Sequence, residues 1–375
     1  MGIVKQYKEH RVIRVLIKIL LVIGLIAAAI FLFLKLNPVF GGSPSKEERL
    51  DYAARSVNFA DKKFYYPKEY ELDGLSEDNR VSVKGTKPSS ELPVLKPSFA
   101  EEPEIEEVYI TWLGHSSILI QMHGMKLLID PVFSQKASPV AFAGPSRFSD
   151  VPISVKELPG IDVVLLSHDH YDHLDMKTIM ELNAKTTCFV VPLGVENHLE
   201  RWGVERDKIY NMAWWEEIEI NGLTIGCTPA RHYSSRSFLD AGNTLFASWV
   251  LKDEYHQLYE SGDTGFGGHF EAIHEKYGDF DLVLMDCAQY DMKWHPIHML
   301  PEESVNASAI LGAKLAMPIH WGAYVLSTHG WDDPPERFVT AAEAQGLPVV
   351  SPRLGETLQL SAYENYQERW WREFE

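Results

Sequence analysis

The motif HDHYDH restricts the fold of this chain more than any other stretch, and it directly follows the apolar run DVVLLS (162–167). It places His168, His170, Asp172 and His173 on one short loop at the end of a predicted strand. Imidazole nitrogens and a carboxylate are the ligands preferred by zinc and by divalent ions such as iron or manganese. An ordinary solvated turn is the alternative, but it does not explain four such side chains so close together. The motif therefore predicts a metal site at a strand end.

The spacing within the motif separates its ligands into two pairs. His168 and His170 are two residues apart and can share one face of an extended loop. Asp172 and His173 lie where the next predicted helix begins (LDMKTIMEL), so their side chains are expected to point elsewhere. This arrangement predicts two neighbouring ions rather than one crowded ion.

Length and charge limit the partners of the protein. With 375 residues, of which 45% are hydrophobic, the chain has enough apolar material for one large domain or two small ones. The formal net charge of −18 argues against nucleic acid as a partner, because phosphate backbones are bound by basic surfaces. A lipid headgroup or a small substrate remains compatible with this charge where bound metals supply positive charge locally.

An uncharged apolar run near the amino terminus, ILLVIGLIAAAIFLFL (19–34), is the second strong signal. With its flanks it covers residues 12–36, which reaches the ~20 residues needed to span a bilayer. Several basic side chains precede it and only Lys35 follows closely, so the positive-inside rule predicts a cytoplasmic amino terminus and a catalytic domain on the outer, periplasmic or extracellular, side. The preceding basic residues are Lys5, Lys8, Arg11, Arg14 and Lys18. A cleaved signal peptide and a buried helix of a soluble protein are the alternatives.

The chain is predicted to divide into an anchor, an arm, a mixed domain and a tail. Residues 1–40 form the basic stub and anchor, and residues 41–104 form a linker or arm. The arm begins with a Gly- and Pro-containing stretch followed by a predicted polar helix, and its residues 62–104 are rich in Pro, Lys and Glu. Residues 105–365 alternate β-rich runs with helical patterns, which favours one α/β domain whose sheets are covered by helices. Residues 366–375 are expected to form a polar helical tail whose two tryptophans pack on the domain. The predicted strands are VYITWL, SILIQ, KLLID, DVVLLS, TCFVV, LTIGCTP, LFASWVLK, HQLYESGD and DLVLMD, and the predicted helices lie near 174–183, 194–202, 302–311 and 334–345.

The cysteines indicate neither a zinc ribbon nor a disulfide framework. Cys188, Cys227 and Cys287 occur in apolar or strand-like contexts without CxxC pairing. Buried thiols are therefore predicted, and a single disulfide stays open as an alternative in an oxidising compartment.

Three later residues stand where predicted strands end. His232 follows LTIGCTPA, Asp263 follows HQLYESG, and His320 follows the short apolar segment AMPI. Taken singly, each histidine is explained as a buried polar group bonded to backbone, and Asp263 as a turn former before Gly265. Together, and in order after HDHYDH, they are predicted to complete the metal site.

These motifs carry a family resemblance. The chain resembles the metallo-β-lactamase fold superfamily, and within it the group of phospholipases D that hydrolyse N-acylphosphatidylethanolamine. The resemblance covers roughly residues 105–360 and implies an αββα sandwich. HDHYDH is typical of the whole superfamily, whereas the block DPVFSQKASP…GPSRF and the segment WWEE are more specific to the group. The other matching stretches are TWLGHSSILIQ, VPLG, ARHYSSRS, GDTGF, HMLPEES and MPIHWG.

The resemblance implies a centre of two divalent metal ions. Zinc is the expected metal, with iron or manganese as the other candidates. One ion would be held by His168, His170 and His232, and the other by Asp172, His173 and His320, with Asp263 bridging. A hydroxide shared by the two ions would then attack the phosphorus of a phosphodiester.

Two further histidines belong to the group pattern. His298 is implied to contact the phosphate or to protonate the departing alkoxide, so that Asp263 and His298 are the candidate catalytic residues. The alternative for His298 is a loop histidine after the turn-forming Pro296. His115, in LGHSS between two predicted strands, is expected to hydrogen-bond a ligand rather than to bind metal.

The sequence thus favours a membrane-anchored di-zinc hydrolase that cleaves a phosphodiester in a phospholipid headgroup. An esterase or lactonase acting on a soluble substrate, such as a sugar-phosphate lactone, is the nearest alternative on the same scaffold. A non-catalytic anchored protein whose metals only hold the fold together is the third. Two departures leave the substrate open: animal members of the group lack such a spanning helix, and Ile297 places an apolar residue directly before His298. No oligomeric state is predicted.

Overall fold

The computed structural model describes residues 2–71, 85–100 and 104–374, and for residues 2–12 it describes the backbone alone. Parts of the predicted arm, 72–84 and 101–103, therefore lie outside the described residues, as do the side chains of the first basic positions.

A long helix, α1 (Gly2–Leu36), precedes the rest of the fold. Its segment Ile13–Leu36 is long and apolar enough to cross a membrane, and none of it is buried against the protein. Such a helix fits a membrane span, and it equally fits a signal sequence. A short 3₁₀ turn (Pro38–Phe40) follows it, in which the Asn37 side chain accepts a hydrogen bond from the backbone N–H of Val39.

The first part of the predicted arm packs on the domain. It contains α2 (Lys46–Arg55) and a small hairpin of β1 (Phe59–Ala60) and β2 (Lys63–Phe64). Ser45 and Glu48 form a capping box that starts α2, because each side chain satisfies a backbone N–H of the other. Tyr52 of α2 is fully buried in the main hydrophobic core.

Two mixed sheets form the centre of the molecule. A seven-stranded sheet has the order β15-β3-β4-β5-β6-β7-β8, and a six-stranded sheet has the order β14-β13-β12-β11-β10-β9. All nine predicted strands are present, and the predicted strand end after AMPI is the end of β14, whereas β8, β9 and β15 were not predicted as strands. In chain order the strands are β3 (Tyr109–Trp112), β4 (Ile118–Met122), β5 (Met125–Ile129), β6 (Ile161–Leu165), β7 (Thr186–Pro192), β8 (Ile209–Met212), β9 (Glu217–Ile220), β10 (Leu223–Pro229), β11 (Ala247–Lys252), β12 (Gln257–Glu260), β13 (Leu282–Asp286), β14 (Ala316–Ile319) and β15 (Thr357–Gln359).

Helices cover the outer faces of both sheets. The helices α3 and α4 pack on the seven-stranded sheet, and α5, α6 and α7 join the core of the six-stranded sheet. They are α3 (Met176–Leu182), α4 (Glu196–Arg201), α5 (His269–Tyr277), α6 (Pro301–Ile310) and α7 (Asp333–Gln345). The predicted αββα sandwich is confirmed, and α5 was not predicted.

Alternating side chains explain why the strands are apolar on both faces. Ile118 and Ile120 of β4 face the core shared by the two sheets, whereas Leu119 faces the core under α3 and α4. A strand buried on both sides gives a continuous apolar run rather than an alternating one.

The carboxy-terminal tail, predicted to be a polar helix, is helical only in short 3₁₀ turns. It forms 3₁₀ turns at Leu360–Tyr366 and Trp370–Phe374. Ser351 explains the difference, because it donates to the carbonyls of Tyr366 (2.7 Å) and Glu368 (2.9 Å), which a continuous helix would need for its own ladder. The predicted packing of Trp370 and Trp371 is confirmed, since both are buried in the main core. The three cysteines are also buried and free, as predicted.

Candidate metal centre

The ends of several strands meet at one edge of the sandwich. The motif HDHYDH follows β6, His232 follows β10, Asp263 follows β12 and His320 follows β14. The backbone N–H of Ala247 at the start of β11 donates to the carbonyl of Ser167 (2.9 Å), which ties the second sheet to the motif. Helix α3 begins only at Met176, because Asp175 caps it through the N–H groups of Lys177 and Thr178, so the whole motif lies in a loop.

Three histidines surround one side of Asp263. His168, His170, His232 and Asp263 form a buried or nearly buried group whose possible ligand atoms lie within 4.8 Å of one another. The Nε2 atoms of His168 and His232 are each 3.8 Å from Oδ2 of Asp263. This is the first set that the sequence predicts.

A second group lies on the other side of the same carboxylate. Oδ1 of Asp263 is 3.1 Å from Nε2 of His173 and 3.3 Å from Nε2 of His320. Oδ2 of Asp172 completes this group, at 3.6 Å from His173 Nε2 and 3.3 Å from His320 Nε2. The two oxygens of Asp263 therefore face different groups, as a bridging ligand requires.

Metal ions fit these residues. Two ligand atoms about 2.1 Å from a tetrahedral zinc ion are separated by about 3.4 Å, close to the distances around Asp263. Several buried atoms also lack any hydrogen-bond partner in the protein: Nε2 of His168 and of His173, and Oδ1 of Asp263. Buried polar atoms are normally paired, so these atoms point to a ligand between them. That the seven predicted residues bind metal stays a prediction, and the structure brings all seven together.

The charge state of the centre suits cations. Burial lowers the pKa of His168 and of His232 well below its ordinary value, which leaves neutral imidazoles, the form that binds metal. Burial opposes ionisation of Asp263, yet His173 and His320 hold the pKa of this carboxyl well below its usual range. Burial also acts to lower the pKa of His320, but Asp263 and Asp286 outweigh it and raise that pKa to about 10. The same negative field attracts divalent cations.

Residues behind the histidines fix their orientation, and sequence reasoning gave most of them no role. Asp130 Oδ2 lies 2.7 Å from Nδ1 of His173, and Asp286 Oδ1 lies 3.3 Å from Nδ1 of His320. The carbonyl of Ile297 accepts from Nδ1 of His232 (3.2 Å). Carboxylates and carbonyls at the second ring nitrogen set the tautomer of a ligating histidine. Asp130 and Asp286 share one sequence signal, because each is an acidic residue at the end of an apolar strand, LLID and LVLMD respectively.

His115 lies beside Asp172 at the edge of the second group. Its Nε2 is 2.9 Å from Oδ2 of Asp172, and it lies between β3 and β4 with a positive φ of 57°. His115 also belongs to the group of potential ligands around Asp172, so its geometry is compatible with either role.

His298 lies beside the centre. Its Nδ1 is 3.2 Å from Oδ2 of Asp286, and its Nε2 is 3.9 Å from Oδ2 of Asp263. Its ring stacks on that of His320 with a centroid distance of 5.3 Å. His298 therefore stands where it can reach a molecule in the pocket.

A cavity of about 270 Å³ opens onto the centre. Beside the predicted residues, its wall contains side chains that the sequence did not single out. Tyr233, Trp294 and Leu326 are apolar or aromatic, and Gln289 adopts a positive φ of 57°. The wall also contains Ile297, whose apolar character departs from the group pattern. It is formed by His170, Asp172, Tyr233, Asp263, Gln289, Trp294, Ile297, His298, His320 and Leu326.

Comparison with protein families identifies the fold. Residues 125–321 match the model of the beta-lactamase superfamily domain. The chain belongs to the metallo-β-lactamase superfamily. As a member of this superfamily it is a metal-dependent hydrolase that uses divalent metal ions. This membership argues against the third hypothesis, a non-catalytic protein whose metals only hold the fold together.

Similarity to individual proteins indicates which group within the superfamily this chain resembles. An uncharacterized protein of Mycobacterium tuberculosis is 37% identical over 291 residues, covering 76% of this chain and 77% of that protein. The N-acyl-phosphatidylethanolamine-hydrolyzing phospholipase D 1 of Caenorhabditis elegans is 36% identical over 59% of this chain and 65% of its own. The mitochondrial enzyme of the same type in Saccharomyces cerevisiae is 33% identical over 70% of this chain and 58% of its own. The predicted resemblance to this group is confirmed.

A solved structure supports the same fold. The isothiocyanate hydrolase from Delia radicum gut bacteria superposes with a TM-score of 0.53 and 21% identity, over 67% of this metallo-β-lactamase superfamily member and 98% of the other chain.

Proposed function

We propose that this protein is a membrane-anchored di-zinc phosphodiesterase that cleaves the headgroup phosphodiester of a phospholipid of the N-acylphosphatidylethanolamine type. One observation carries the proposal: Asp263 faces two potential metal groups with its two oxygens, at the base of a pocket that also holds His298. The similarity to phospholipases D of worm and yeast supports the lipid substrate. The apolar helix α1 supports the anchor, with the catalytic domain on the outer side.

In this proposal His168, His170 and His232 would hold one ion, Asp172, His173 and His320 would hold the other, and Asp263 would contribute to both. Two such ions, when bound, act as Lewis acids on the phosphoryl oxygens and lower the pKa of water. The protein positions them through Asp130 and Asp286, which lie against ring nitrogens of the ligating histidines.

His298 is proposed to donate a proton to the departing alkoxide. Burial acts to raise the pKa of Asp286, but His320 and His298 hold it below its ordinary value, so its carboxylate can only accept at Nδ1 of His298. The Nε2 of His298 is then the atom directed at the substrate, and Nε2–H of the protonated ring is the proton donor. The apolar side chains of Trp294, Ile297 and Leu326 limit water around this atom.

The test is mass spectrometry of products after the full-length, zinc-loaded protein is mixed with N-acylphosphatidylethanolamine in mixed micelles. Phosphatidic acid and N-acylethanolamine are expected, and neither is expected from His320→Ala. Turnover of a soluble sugar-phosphate lactone without any phosphatidic acid would contradict the lipid substrate and favour a lactonase.

A second variant isolates the proton donor. His298→Gln is expected to lower the turnover number by about 10²- to 10⁴-fold while the zinc content stays at two ions per chain. His274→Gln, on the exposed side of α5, is the matched control and should keep full activity. Loss of zinc from His298→Gln would instead make His298 a ligand, for which its proximity to Asp263, Asp286 and His320 gives a geometric basis.

A further inference from the structure

The end of α1 is fixed to the domain rather than tethered by a free linker. Arg201 of α4 donates to the carbonyls of Lys35 (3.3 Å), Leu36 (2.9 Å) and Gly41 (2.8 Å). The indole N–H of Trp202 donates to the carbonyl of Pro38 at 2.6 Å. The position at which the chain leaves the apolar helix is therefore defined relative to α4.

A buried arginine connects this exit to the metal-binding loop. The Nε of Arg236 donates to the carbonyl of Val39 (3.0 Å), and one terminal nitrogen donates to the carbonyls of Asp169 (2.6 Å) and Leu174 (2.9 Å). Asp169 lies within HDHYDH, and Leu174 directly follows it. One guanidinium thus binds the exit of α1 and both ends of the motif loop.

Two loops with exposed apolar tips flank Val39. A groove of about 400 Å³ contains Val39 together with Val140 and Ala141, and the next residue, Phe142, is 88% exposed. On the other loop, two residues beyond Arg236, Phe238 is 77% exposed and Leu239 is also exposed. Among the described residues outside α1, Phe142 and Phe238 are the only exposed phenylalanines.

Hydrogen bonds at the base of each loop hold these tips outward. Oδ1 of Asp240 accepts from the backbone N–H groups of Arg236 (3.1 Å) and Ser237 (2.8 Å). In the other loop the N–H of Ala137 donates to the carbonyl of Pro145 (3.2 Å), which closes the loop below Phe142. Exposed aromatic side chains on built loops mark an interaction surface more often than isolated surface residues do.

We infer that Phe142, Phe238 and Leu239, here called the apolar rim, lie in the surface of the same bilayer that α1 crosses. The occupant is a lipid bilayer because the rim surrounds the exit of a helix that is apolar on every side and unburied. The loop that carries Phe238 begins at His232 and Tyr233, and Tyr233 lines the pocket. A rim seated in the membrane therefore directs the pocket towards lipid headgroups. This inference rests on the proposed anchor.

The test places single fluorophores on the full-length protein in phosphatidylcholine vesicles. Cysteine is introduced at one position at a time and labelled with an environment-sensitive dye, since the three native cysteines are buried. The variants are Leu25→Cys within α1, Phe142→Cys and Phe238→Cys in the rim, and Tyr255→Cys as the control. Tyr255 is 44% exposed and follows β11 at the end opposite Ser167, so it stands away from the metal centre.

Lipids that carry a doxyl group near the headgroup report insertion of the rim positions, and lipids that carry it deep in the acyl chain report insertion of position 25, which lies midway along the apolar segment Ile13–Leu36. The expected result is strong quenching at positions 25, 142 and 238, and several-fold weaker quenching at position 255. Quenching at 25 with positions 142 and 238 no different from 255 would overturn the rim and leave the anchor intact. Absence of quenching at 25 would overturn the anchor and the inference with it.

A second measurement separates membrane seating from catalysis. The triple variant Phe142→Ser, Phe238→Ser, Leu239→Ser is expected to hydrolyse lipid in vesicles several-fold more slowly and to keep its rate on the soluble diester bis(4-nitrophenyl) phosphate. Tyr255→Ser should change neither rate. An equal loss on both substrates would mean that these loops support the fold of the site and would overturn the rim.

Discussion

At the scale of single residues, the second ring nitrogens of the metal-facing histidines determine how well the centre is organised. Asp130 contacts His173 at 2.7 Å and also accepts from the backbone N–H of Ser167 at 2.7 Å. It therefore fixes both the ring of His173 and the start of the motif loop. Groups in this position are expected to contribute to metal affinity almost as much as the ligands themselves.

Replacing Asp130 by asparagine should reduce zinc affinity by about 10- to 100-fold, because the amide keeps the shape but lacks the charge that orients His173. Zinc content after dialysis against a weak chelator, measured by inductively coupled plasma mass spectrometry, checks this. The control is Asp150→Asn, at an exposed position, which should retain both ions. Unchanged zinc retention in Asp130→Asn would contradict the orienting role.

The residues that meet at the candidate centre could be predicted from sequence, and the residues behind them could not. Four of these residues lie close together in the sequence: His168, His170, Asp172 and His173. A predicted strand followed by His or Asp can also be recognised from the sequence alone. Asp130 and Asp286 also follow strands, but nothing in their neighbours distinguishes them from turn formers. Their role depends on the parallel pairing of β5 with β6 and of β13 with β14, which sets each of them beside a histidine.

At the scale of elements, Arg55 of α2 joins the amino-terminal arm to β8 and to the connection between β8 and β9, where the chain passes from one sheet to the other. Its guanidinium donates to both oxygens of Glu216 (3.1 and 2.6 Å) and to the carbonyl of Asn211 (2.7 Å). Glu216 belongs to the segment WWEE, one of the motifs that carry the family resemblance. This motif therefore binds the amino-terminal arm. Burial acts to raise the pKa of Glu216, but the hydrogen bond from Arg55 outweighs it and the pKa is lowered.

Arg55→Ala should therefore destabilise the protein by about 1 to 2 kcal/mol at neutral pH. A carboxyl whose pKa is lowered on folding contributes stability above its unfolded pKa, and this contribution is lost as the pH falls through its folded pKa. The difference in unfolding free energy between wild type and Arg55→Ala should thus shrink below about pH 4.3. Urea denaturation at several pH values measures this difference in unfolding free energy. Arg49→Ala, at the other end of α2, is the control. A pH-independent difference would contradict the ion pair.

Helices and strands whose own sequence has a strong pattern were predicted. Elements whose conformation depends on contacts with residues elsewhere in the chain were not. The apolar runs of β3 to β7 and β10 to β13 are buried on both faces, which the sequence shows directly. Helix α5 begins at Gly268 without a side-chain cap, so its start carries little signal. The tail is bent into 3₁₀ turns by Ser351, a partner that no window of the tail contains.

At the scale of the whole molecule, an apolar helix stands outside a domain that is otherwise complete. The core of the sandwich contains no described residue of α1, whereas Tyr52 of α2 belongs to it. The anchor is therefore separable from the fold, and the arm that follows it is not.

Deleting residues 2–36 should release a folded protein into the soluble fraction that retains zinc and hydrolyses lipid in mixed micelles at the rate of the full chain. A longer deletion that also removes α2 should lower thermal stability, because loss of a buried aromatic side chain alone costs about 3 to 5 kcal/mol. Fractionation, differential scanning fluorimetry and zinc analysis measure these outcomes. A shorter product that remains in membranes would contradict the anchor, and an aggregated one would contradict its separability.

Arg236 has a consequence for how such an enzyme would meet its substrate. One side chain binds both Val39, just beyond the end of α1, and the motif loop, so the exit of the helix is coupled to the pocket. Under the proposed function, an enzyme mounted in this way would search a plane rather than a volume, and its lipid substrate would reach it by lateral diffusion. Its rate is then expected to follow the mole fraction of substrate in the leaflet and to stay constant when the vesicles are diluted.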